Sequence, residues 1–302
     1  MDVCIIGAGI AGLTAAIYVQ RAGLQSVIFE RSIYGGQIIV SPTVDNYPGM
    51  PGIDGATLAN AVYEQATAQG AELRFEDVLS IERQEDGFAV TTTEGSTTFP
   101  AVIFAGGAAR RSLGCEGEER FNGRGVSYCA TCDGAMYRGK TAAVIGGGNT
   151  ALEDALYLAN LCEKVYIIHR RNEFRGDRVL AEAVLNNPRI EAVLDAQLSA
   201  ITGDRHVEGL DVVFRDGSTR HLDVSGVFIA IGLSPDTALL KGIVPLDEGG
   251  YALAGEDCSA GIPGLFVAGD CRSKPLRQLV TAASDGAVAA FGAANYINAG
   301  KH

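Results

Sequence analysis

The sequence predicts an α/β protein made of two strand–turn–helix units of the same design, the second inserted into the first. Three observations predict it: a glycine-rich turn follows an apolar strand at the start of the chain, a second such turn lies near the middle, and one more apolar strand with a long helix closes the chain. A chain of 302 residues, 47% of them hydrophobic, exceeds what one core usually fills. We therefore expect two Rossmann-like nucleotide-binding domains, a discontinuous one of residues 1–109 and 234–302 and an inserted one of residues 110–233.

Charge and the start of the chain limit the function classes. A formal net charge of −12 argues against nucleic acid or an anionic membrane as main partner, because phosphate binding needs a basic face. No apolar run reaches the roughly 18 residues of a membrane span. Residues 1–7 are typical of a strand rather than of a charged leader with a cleavage site. We therefore expect a cytoplasmic protein, in which persistent disulfides are rare.

The first unit begins with an apolar strand over residues 3–6, the turn Gly7-Ala8-Gly9-Ile10-Ala11-Gly12 and a helix over residues 13–21. Glycines in a G-x-G-x-x-G turn let backbone N–H groups approach a pyrophosphate and let the helix pack closely on the strand. The second strand ends in Glu30, 23 residues beyond Gly7, where an acid can hold a ribose hydroxyl. This context favours a dinucleotide, FAD or NAD, over a merely structural turn.

The remainder of the first unit indicates a helix and several strands. The helix is predicted over residues 57–69 with Thr57 as its cap, and short strands over residues 73–93 and 97–105. Two turn-rich segments, Gly35-Gly36-Gln37 and Asn46-Tyr47-Pro48-Gly49, are by themselves typical of surface loops.

The same pattern then repeats. A strand over residues 141–145 leads into Gly146-Gly147-Gly148-Asn149-Thr150-Ala151 and a helix over residues 152–161. The following strand, residues 165–168, ends at His169, again 23 residues beyond the first glycine of the turn. Equal spacing makes Glu30 and His169 equivalent positions.

Arginines at the second strand end distinguish the two units. His169-Arg170-Arg171, with Arg175 close behind, offers planar donors to a 2′-phosphate, whereas an acid suits an unmodified ribose. The second unit is therefore predicted to bind NADPH, against the alternative of a solvated basic face.

Between the two turns lies Cys129-Ala130-Thr131-Cys132-Asp133. A C-x-x-C pair can open and close a disulfide, and an adjacent acid can move the proton. The alternatives are half of a zinc site or two ordinary buried cysteines. The other cysteines are scattered singly and no histidine is spaced for a partner knuckle, so we expect no metal.

The second unit closes with strands over residues 209–214 and 224–231, and one more buried strand follows over residues 264–268. This last strand is expected to return to the first sheet. Asp270 then lies at a strand carboxyl end, where ligands of open α/β sheets bind, and Arg277-Gln278 precede a helix that extends to about residue 298. The alternative for Asp270 is a plain turn or capping residue.

These motifs together resemble the bacterial low-molecular-weight thioredoxin reductases over nearly the whole chain. The resemblance implies a homodimer with FAD on the discontinuous domain, NADPH on the inserted domain and thioredoxin, or a thioredoxin-like protein, as partner. It also implies that Cys132 lies against the flavin, that Cys129 attacks the substrate disulfide and that Asp133 serves as acid and base. Two positions depart from the family pattern: Ile10 replaces a usual proline, and Gly106 a usual threonine at the flavin-side wall.

The predicted cofactor-binding residues follow from the turns and from this resemblance. For FAD they are Gly7, Gly9, Ala11, Gly12, Glu30, Gly36, Gln37, Asn46, Gly269, Asp270, Arg277 and Gln278. For NADPH they are Gly146, Gly148, Asn149, Thr150, His169, Arg170, Arg171 and Arg175.

The expected reaction is a relay from NADPH through FAD and the dithiol to thioredoxin. A flavin-dependent dithiol oxidase, a reductase of a peroxide-system protein and a non-catalytic redox sensor remain alternatives. Because nicotinamide and disulfide need the same flavin ring, the two domains are expected to alternate between two arrangements, with hinges near residues 108–110 and 233–235.

Overall fold

The computed structural model describes residues 1–41 and 43–300, and the last two residues of the expected discontinuous domain lie outside this range. The chain forms two compact units. Unit 1 consists of Met1–Ala109 together with the chain from Ser234 onward, and unit 2 is Arg110–Leu233. The segments that pass between the units, β8 (Ala108–Arg110) and β17 (Leu233–Pro235), pair with each other.

The other strands are β1 (Val3–Ile6), β2 (Ser26–Phe29), β3 (Glu72–Arg74), β4 (Val78–Gln84), β5 (Gly87–Thr92), β6 (Gly95–Phe99), β7 (Ala101–Phe104), β9 (Val126–Ser127), β10 (Thr141–Ile145), β11 (Lys164–Ile168), β12 (Ile190–Val193), β13 (Ala196–Thr202), β14 (Gly209–Phe214), β15 (Thr219–Asp223), β16 (Gly226–Ile229) and β18 (Leu265–Val267). The α-helices are α1 (Ile10–Arg21), α2 (Gly55–Ala68), α3 (Ala130–Asp133), α4 (Asn149–Ala159), α5 (Arg178–Leu185) and α6 (Leu279–Ala299). Short 3₁₀ helices cover Gly36–Val40, Gly134–Tyr137, Ala238–Leu240 and Gly269–Cys271.

Unit 1 is built on a parallel sheet in the order β18-β7-β1-β2-β3. Its inner strands are continuous apolar runs because helices or other layers cover both faces. The pairing of β18 with β7 confirms that the last strand returns to the first sheet. A separate antiparallel sheet, β4-β5-β6, contains the meander predicted between residues 73 and 105.

Helices α1 and α6 pack tightly in unit 1, and two glycines explain why. A Cβ added at Gly12 would overlap the carbonyl oxygen of Gly7, and one added at Gly286 would overlap that of Ala11. The small residues therefore let α1 lie close to the glycine turn and let α6 lie close to α1. The turn is closely packed and lies at the carboxyl end of β1.

Unit 2 repeats the arrangement with a parallel sheet in the order β12-β11-β10-β16-β9. Helices α4 and α5 pack beside it, and the antiparallel sheet β13-β14-β15 completes the unit. As in unit 1, the glycine turn links the central strand of the parallel sheet, here β10, to the helix that follows it, here α4. Both glycine turns therefore end at the carboxyl edge of a parallel sheet.

Several predicted boundaries were wrong. Both helices after the glycine turns begin earlier than expected, α1 at Ile10 and α4 at Asn149, because the last residues of each turn already belong to the helix. The cap of α2 is Asp54 rather than Thr57, since the Asp54 carboxylate accepts a hydrogen bond from the Thr57 amide at 2.9 Å. Strand β16 is also shorter than residues 224–231.

Candidate active site

The two cysteines of the C-x-x-C motif form a disulfide at the start of α3. Strand β9 places Cys129 at the helix N-cap, where its sulfur accepts a hydrogen bond from the Cys132 amide at 3.2 Å. Cys132 is exposed and Cys129 is half-buried. A helix start favours negative charge, so this position is suited to a thiolate at Cys129 when the disulfide is reduced.

Asp133 is held beside the disulfide by Ser127. The Ser127 hydroxyl donates to Oδ2 of Asp133 at 2.6 Å and accepts from the Cys129 amide at 3.1 Å. Arg110 interacts electrostatically with Asp133, while burial lowers the pKa of the Arg110 guanidinium. The third predicted catalytic residue is therefore positioned by contacts that the sequence did not reveal.

A buried carboxylate supports the segment in front of the disulfide. Glu118 is 2% exposed. It accepts hydrogen bonds from the Ser112 hydroxyl (2.8 Å), the Leu113 amide (3.1 Å), the Gly114 amide (2.7 Å) and the Tyr128 hydroxyl (2.8 Å). Burial raises the pKa of Glu118, but these donors outweigh it and the net pKa lies below its usual range. Glu118 thereby anchors Tyr128, the residue immediately before Cys129.

In unit 1 the carboxyl edge of the parallel sheet opens into a cavity of about 600 Å³. Eight predicted FAD residues line it: Gly7, Gly9, Ala11, Glu30, Gly36, Gln37, Gly269 and Asp270. Glu30 is oriented by the glycine turn, since its Oε2 accepts from the Ala8 amide at 2.9 Å. The cavity therefore joins segments from both parts of the discontinuous unit.

Asp270 carries the clearest sign of a ligand in this cavity. Within the described residues, its buried Oδ1 has no hydrogen-bond partner. Burial also raises the pKa of this carboxyl. A buried polar atom without a partner is costly, and a ligand hydroxyl in the cavity would satisfy it.

The other four predicted FAD residues lie around the cavity rather than in its lining. Gly12 serves helix packing, as described above. Asn46 donates to the side-chain oxygen of Gln278 at 2.9 Å, and Gln278 caps α6. The Arg277 guanidinium lies 4.0 Å from the Tyr251 ring centroid and donates to the Asp270 carbonyl at 3.2 Å. Arg277 thus supports the backbone that presents Asp270.

Gly106 has no room for the threonine expected from the family pattern. A Cβ at this position would lie 2.7 Å from the Asp236 carbonyl oxygen and 2.8 Å from the Phe104 ring. Asp236 in turn pairs with Arg31, next to Glu30. The glycine is therefore required by the local packing of this chain.

In unit 2 the second glycine turn is tied to the loop after β11. The Arg175 amide donates to the Gly147 carbonyl at 2.7 Å, and the Asn149 side-chain oxygen accepts from the Asp177 amide at 2.7 Å. Gly146, Gly148 and Thr150 belong to the same turn and to the first turn of α4. The predicted residues at this edge are therefore brought together.

His169 lies over this turn at the end of β11. It is 5% exposed, and a Cβ at Gly147 would overlap its ring. Burial, reinforced by Arg175, Arg171 and Arg170, lowers the pKa of His169, so the ring is neutral near pH 7. Among the described residues its Nε2 has no partner. This is a second buried polar atom consistent with a bound ligand.

Arg170 and Arg171 line a different cavity of about 430 Å³ beyond His169. Six further residues complete its lining: Asn172, Asp195, Gln197, Val213, Phe214 and Arg215. Sequence reasoning missed all six. Arg215 directly precedes the turn at Asp216-Gly217, but the pattern contains no sign that this hairpin end lies beside the end of β11.

The sequence matches the family described as pyridine nucleotide-disulphide oxidoreductase over residues 1–287. The chain belongs to this family. The thioredoxin reductase of Treponema pallidum is 42% identical over 301 residues, with 98% of this chain and 97% of that protein covered. The thioredoxin reductase of Listeria monocytogenes is 40% identical, with 98% and 93% covered.

Solved structures support the same relationship. A thioredoxin reductase from Streptococcus pyogenes aligns with a TM-score of 0.94 at 36% identity, covering 99% of this chain and 98% of its own. One from Giardia duodenalis aligns with a TM-score of 0.95 at 38% identity, covering 98% of each chain. The two-domain α/β fold is thereby confirmed, and this pyridine nucleotide-disulphide oxidoreductase carries the redox-active pair Cys129 and Cys132.

Family membership implies the use of a flavin and a pyridine nucleotide. Across residues 1–41 and 43–300, no group of three or more histidine, cysteine or acidic side chains is arranged to hold a metal ion. No helix in the same part of the chain is long and apolar enough to cross a membrane.

Proposed function

We propose that this oxidoreductase reduces the disulfide of thioredoxin, or of a thioredoxin-like protein, with electrons from NADPH passed through FAD and the Cys129–Cys132 pair. The observation that carries the proposal is the disulfide itself, formed at a helix start with Asp133 hydrogen-bonded to Ser127 directly behind it. Its relatives in Treponema and Listeria bear the name thioredoxin reductase.

FAD is assigned to the unit 1 cavity. The glycine turn offers N–H groups to a pyrophosphate, and Glu30 is in position for an adenosine ribose. Among the described residues the buried Oδ1 of Asp270 has no partner, and a hydroxyl of a bound FAD would donate to it. When bound, FAD supplies the two-electron chemistry that links a nicotinamide to a dithiol.

NADPH is assigned to unit 2. The turn from Gly146 to Gly148 suits its pyrophosphate, and Arg170 and Arg171 suit its 2′-phosphate. His169 lies over the glycine turn and directly precedes Arg170, and among the described residues its buried Nε2 has no partner and is available to a ligand.

The reduced cysteine pair then performs disulfide exchange. Cys129 attacks one sulfur of the substrate disulfide and forms a mixed disulfide, and the other substrate sulfur leaves as a thiolate. Cys132 attacks the Cys129 sulfur, which restores the Cys129–Cys132 disulfide and releases the second substrate thiolate. Asp133 takes and returns protons at these sulfurs, and Ser127 holds its carboxylate in place. Two electrons leave the protein and reduce one substrate disulfide to two thiols.

The test is steady-state oxidation of NADPH by the purified flavoprotein with oxidised bacterial thioredoxin. We expect turnover that depends on thioredoxin and disappears in Cys129→Ser and Cys132→Ser. Cys115→Ser, at a half-buried free cysteine of the same unit, is the matched control and should retain activity. If NADPH is consumed as fast with oxygen alone as with thioredoxin, the protein is an oxidase. If no thioredoxin-like substrate supports turnover, it is a sensor.

The proposal also includes a homodimer and a cytoplasmic location. Persistent disulfides are rare in a reducing compartment such as the cytoplasm, where a cysteine pair of this kind is more often redox-active. Light scattering of the purified protein, with a mass near 63 kDa expected from the 31.5 kDa chain, tests the dimer.

A further inference from the structure

We infer that Arg215 is a specificity-determining residue that binds the 2′-phosphate of the coenzyme together with Arg170 and Arg171. The inference rests on the proposed function, because it adds Arg215 to the residues assigned to the NADPH site of unit 2. All three arginines line the same 430 Å³ cavity at the end of β11.

Backbone hydrogen bonds impose the position of Arg215. The Asp195 amide donates to the Arg171 carbonyl at 3.1 Å, and the Arg215 amide donates to the Asp195 carbonyl at 2.9 Å. The loop after β11, the turn before β13 and the end of β14 therefore lie side by side. Asp195 adopts a left-handed conformation with φ of 51°, which a non-glycine residue rarely does. Arg215 is thus next to Arg171 because the backbone places it there.

The charge of the cavity points to an anion. Among the described residues, neither a hydrogen bond nor an ion pair involves the side chain of Arg170, Arg171 or Arg215, and the lining contains one acid, Asp195. Other arginines of the unit are paired, such as Arg178 with Glu182 and Arg220 with Glu191. In a chain of net charge −12, three unpaired guanidinium groups around one cavity favour a dianion.

The position of the cavity indicates that the anion it binds is the ribose 2′-phosphate rather than the pyrophosphate. The pyrophosphate site is the glycine turn, which Arg175 contacts through its backbone, and Arg175 does not line the cavity. The cavity begins beyond His169, where a ribose 2′ position falls in this fold. Val213 and Phe214 add an apolar wall, and Gln197 adds an amide suited to the adjoining base.

Equilibrium binding separates this role from catalysis. Calorimetric titration of the holoprotein with 2′,5′-ADP and with 5′-AMP compares ligands that differ in the 2′-phosphate. In Arg215→Ala we expect the Kd for 2′,5′-ADP to rise roughly 10- to 100-fold, the effect of losing one charge-assisted hydrogen bond, with the Kd for 5′-AMP unchanged. Retained 5′-AMP binding also shows that the variant is folded.

Two further variants make the result decisive. Arg205→Ala removes the same charge from an exposed turn of unit 2 and should change neither Kd. Arg170→Ala should weaken 2′,5′-ADP as Arg215→Ala does. If only Arg170→Ala weakens 2′,5′-ADP, the role of Arg215 is refuted while the NADPH assignment stands. If the unmodified protein binds both ligands equally, the NADPH assignment itself is refuted and this inference with it.

Discussion

Replacing Glu118 with glutamine should loosen the segment that leads to the disulfide. Oε1 of Glu118 accepts from the Leu113 amide and the Tyr128 hydroxyl, and Oε2 from the Gly114 amide and the Ser112 hydroxyl. A glutamine can present its oxygen to only one of these pairs. The hydroxyl of the other pair can rotate to accept from the new NH₂ group, but the backbone amide cannot. One amide therefore loses its bond to the carboxylate in either orientation, and of the two only the Gly114 amide keeps another side-chain acceptor, the Ser112 hydroxyl oxygen at 3.1 Å.

The expected cost follows from that lost bond. A hydrogen bond to a charged group contributes about 1.5–3 kcal/mol, so the free energy of local opening should fall by about 1.5–3 kcal/mol. Since about 1.4 kcal/mol corresponds to a factor of ten, amide exchange at residue 113 or 114 should become roughly 10- to 150-fold faster. Hydrogen-exchange mass spectrometry of the flavoprotein at pH 7, on peptides covering residues 112–118, measures this directly.

The control is Glu119→Gln, which alters the exposed neighbouring acid and should leave exchange unchanged. The effect should also depend on pH. Because the pKa of Glu118 is lowered in the folded protein, its contribution to stability is present above the ordinary carboxyl pKa of about 4.3 and is lost as pH falls through the folded value. The ratio of the exchange rate in Glu118→Gln to the rate in the unmodified protein should therefore fall toward 1 at acidic pH. Unchanged exchange at both amides at pH 7 would refute the reasoning.

Three further predictions concern the cofactors and the cysteines. The unmodified protein should prefer NADPH over NADH by about 10²- to 10⁴-fold in kcat/KM, and replacing both Arg170 and Arg171 with alanine should erase most of this preference. Equal kcat/KM values for the two coenzymes in the unmodified protein would contradict the coenzyme assignment. The family resemblance implies that Cys132 is the cysteine nearer the flavin. Cys129→Ser should then give a long-wavelength charge-transfer absorption band and Cys132→Ser should give none, whereas the opposite pattern would reverse their roles. Gly286→Ala should lower the flavin content and the melting temperature, since the added Cβ would overlap the Ala11 carbonyl; full flavin content at an unchanged melting temperature would show that α6 can move away.

Much of the site was predictable because its parts lie within short contiguous segments. A glycine turn needs the strand before it and the helix after it, so its pattern over about ten residues already specifies the local backbone. The strand ends at Glu30 and His169 follow from equal spacing in two copies of one unit. The C-x-x-C pair likewise needs one turn of helix to bring its sulfurs together, and it does so at α3. The two glycine turns, each after an apolar strand, together with the length of the chain also predicted the two-domain α/β fold.

Tertiary structure decided the features that depend on residues distant in the chain. Arg215 joins Arg171 only because Asp195 bridges them through backbone hydrogen bonds, and no periodic pattern encodes that contact. Gly106 excludes a side chain because the Asp236 carbonyl, far along the chain, occupies the space. In the sequence Glu118 is indistinguishable from a surface acid, and only the folded structure shows that it is buried and accepts hydrogen bonds from four donors. Sequence patterns report local backbone preference and periodic burial, whereas these contacts arise when separate segments are packed against each other, and only the folded chain specifies them.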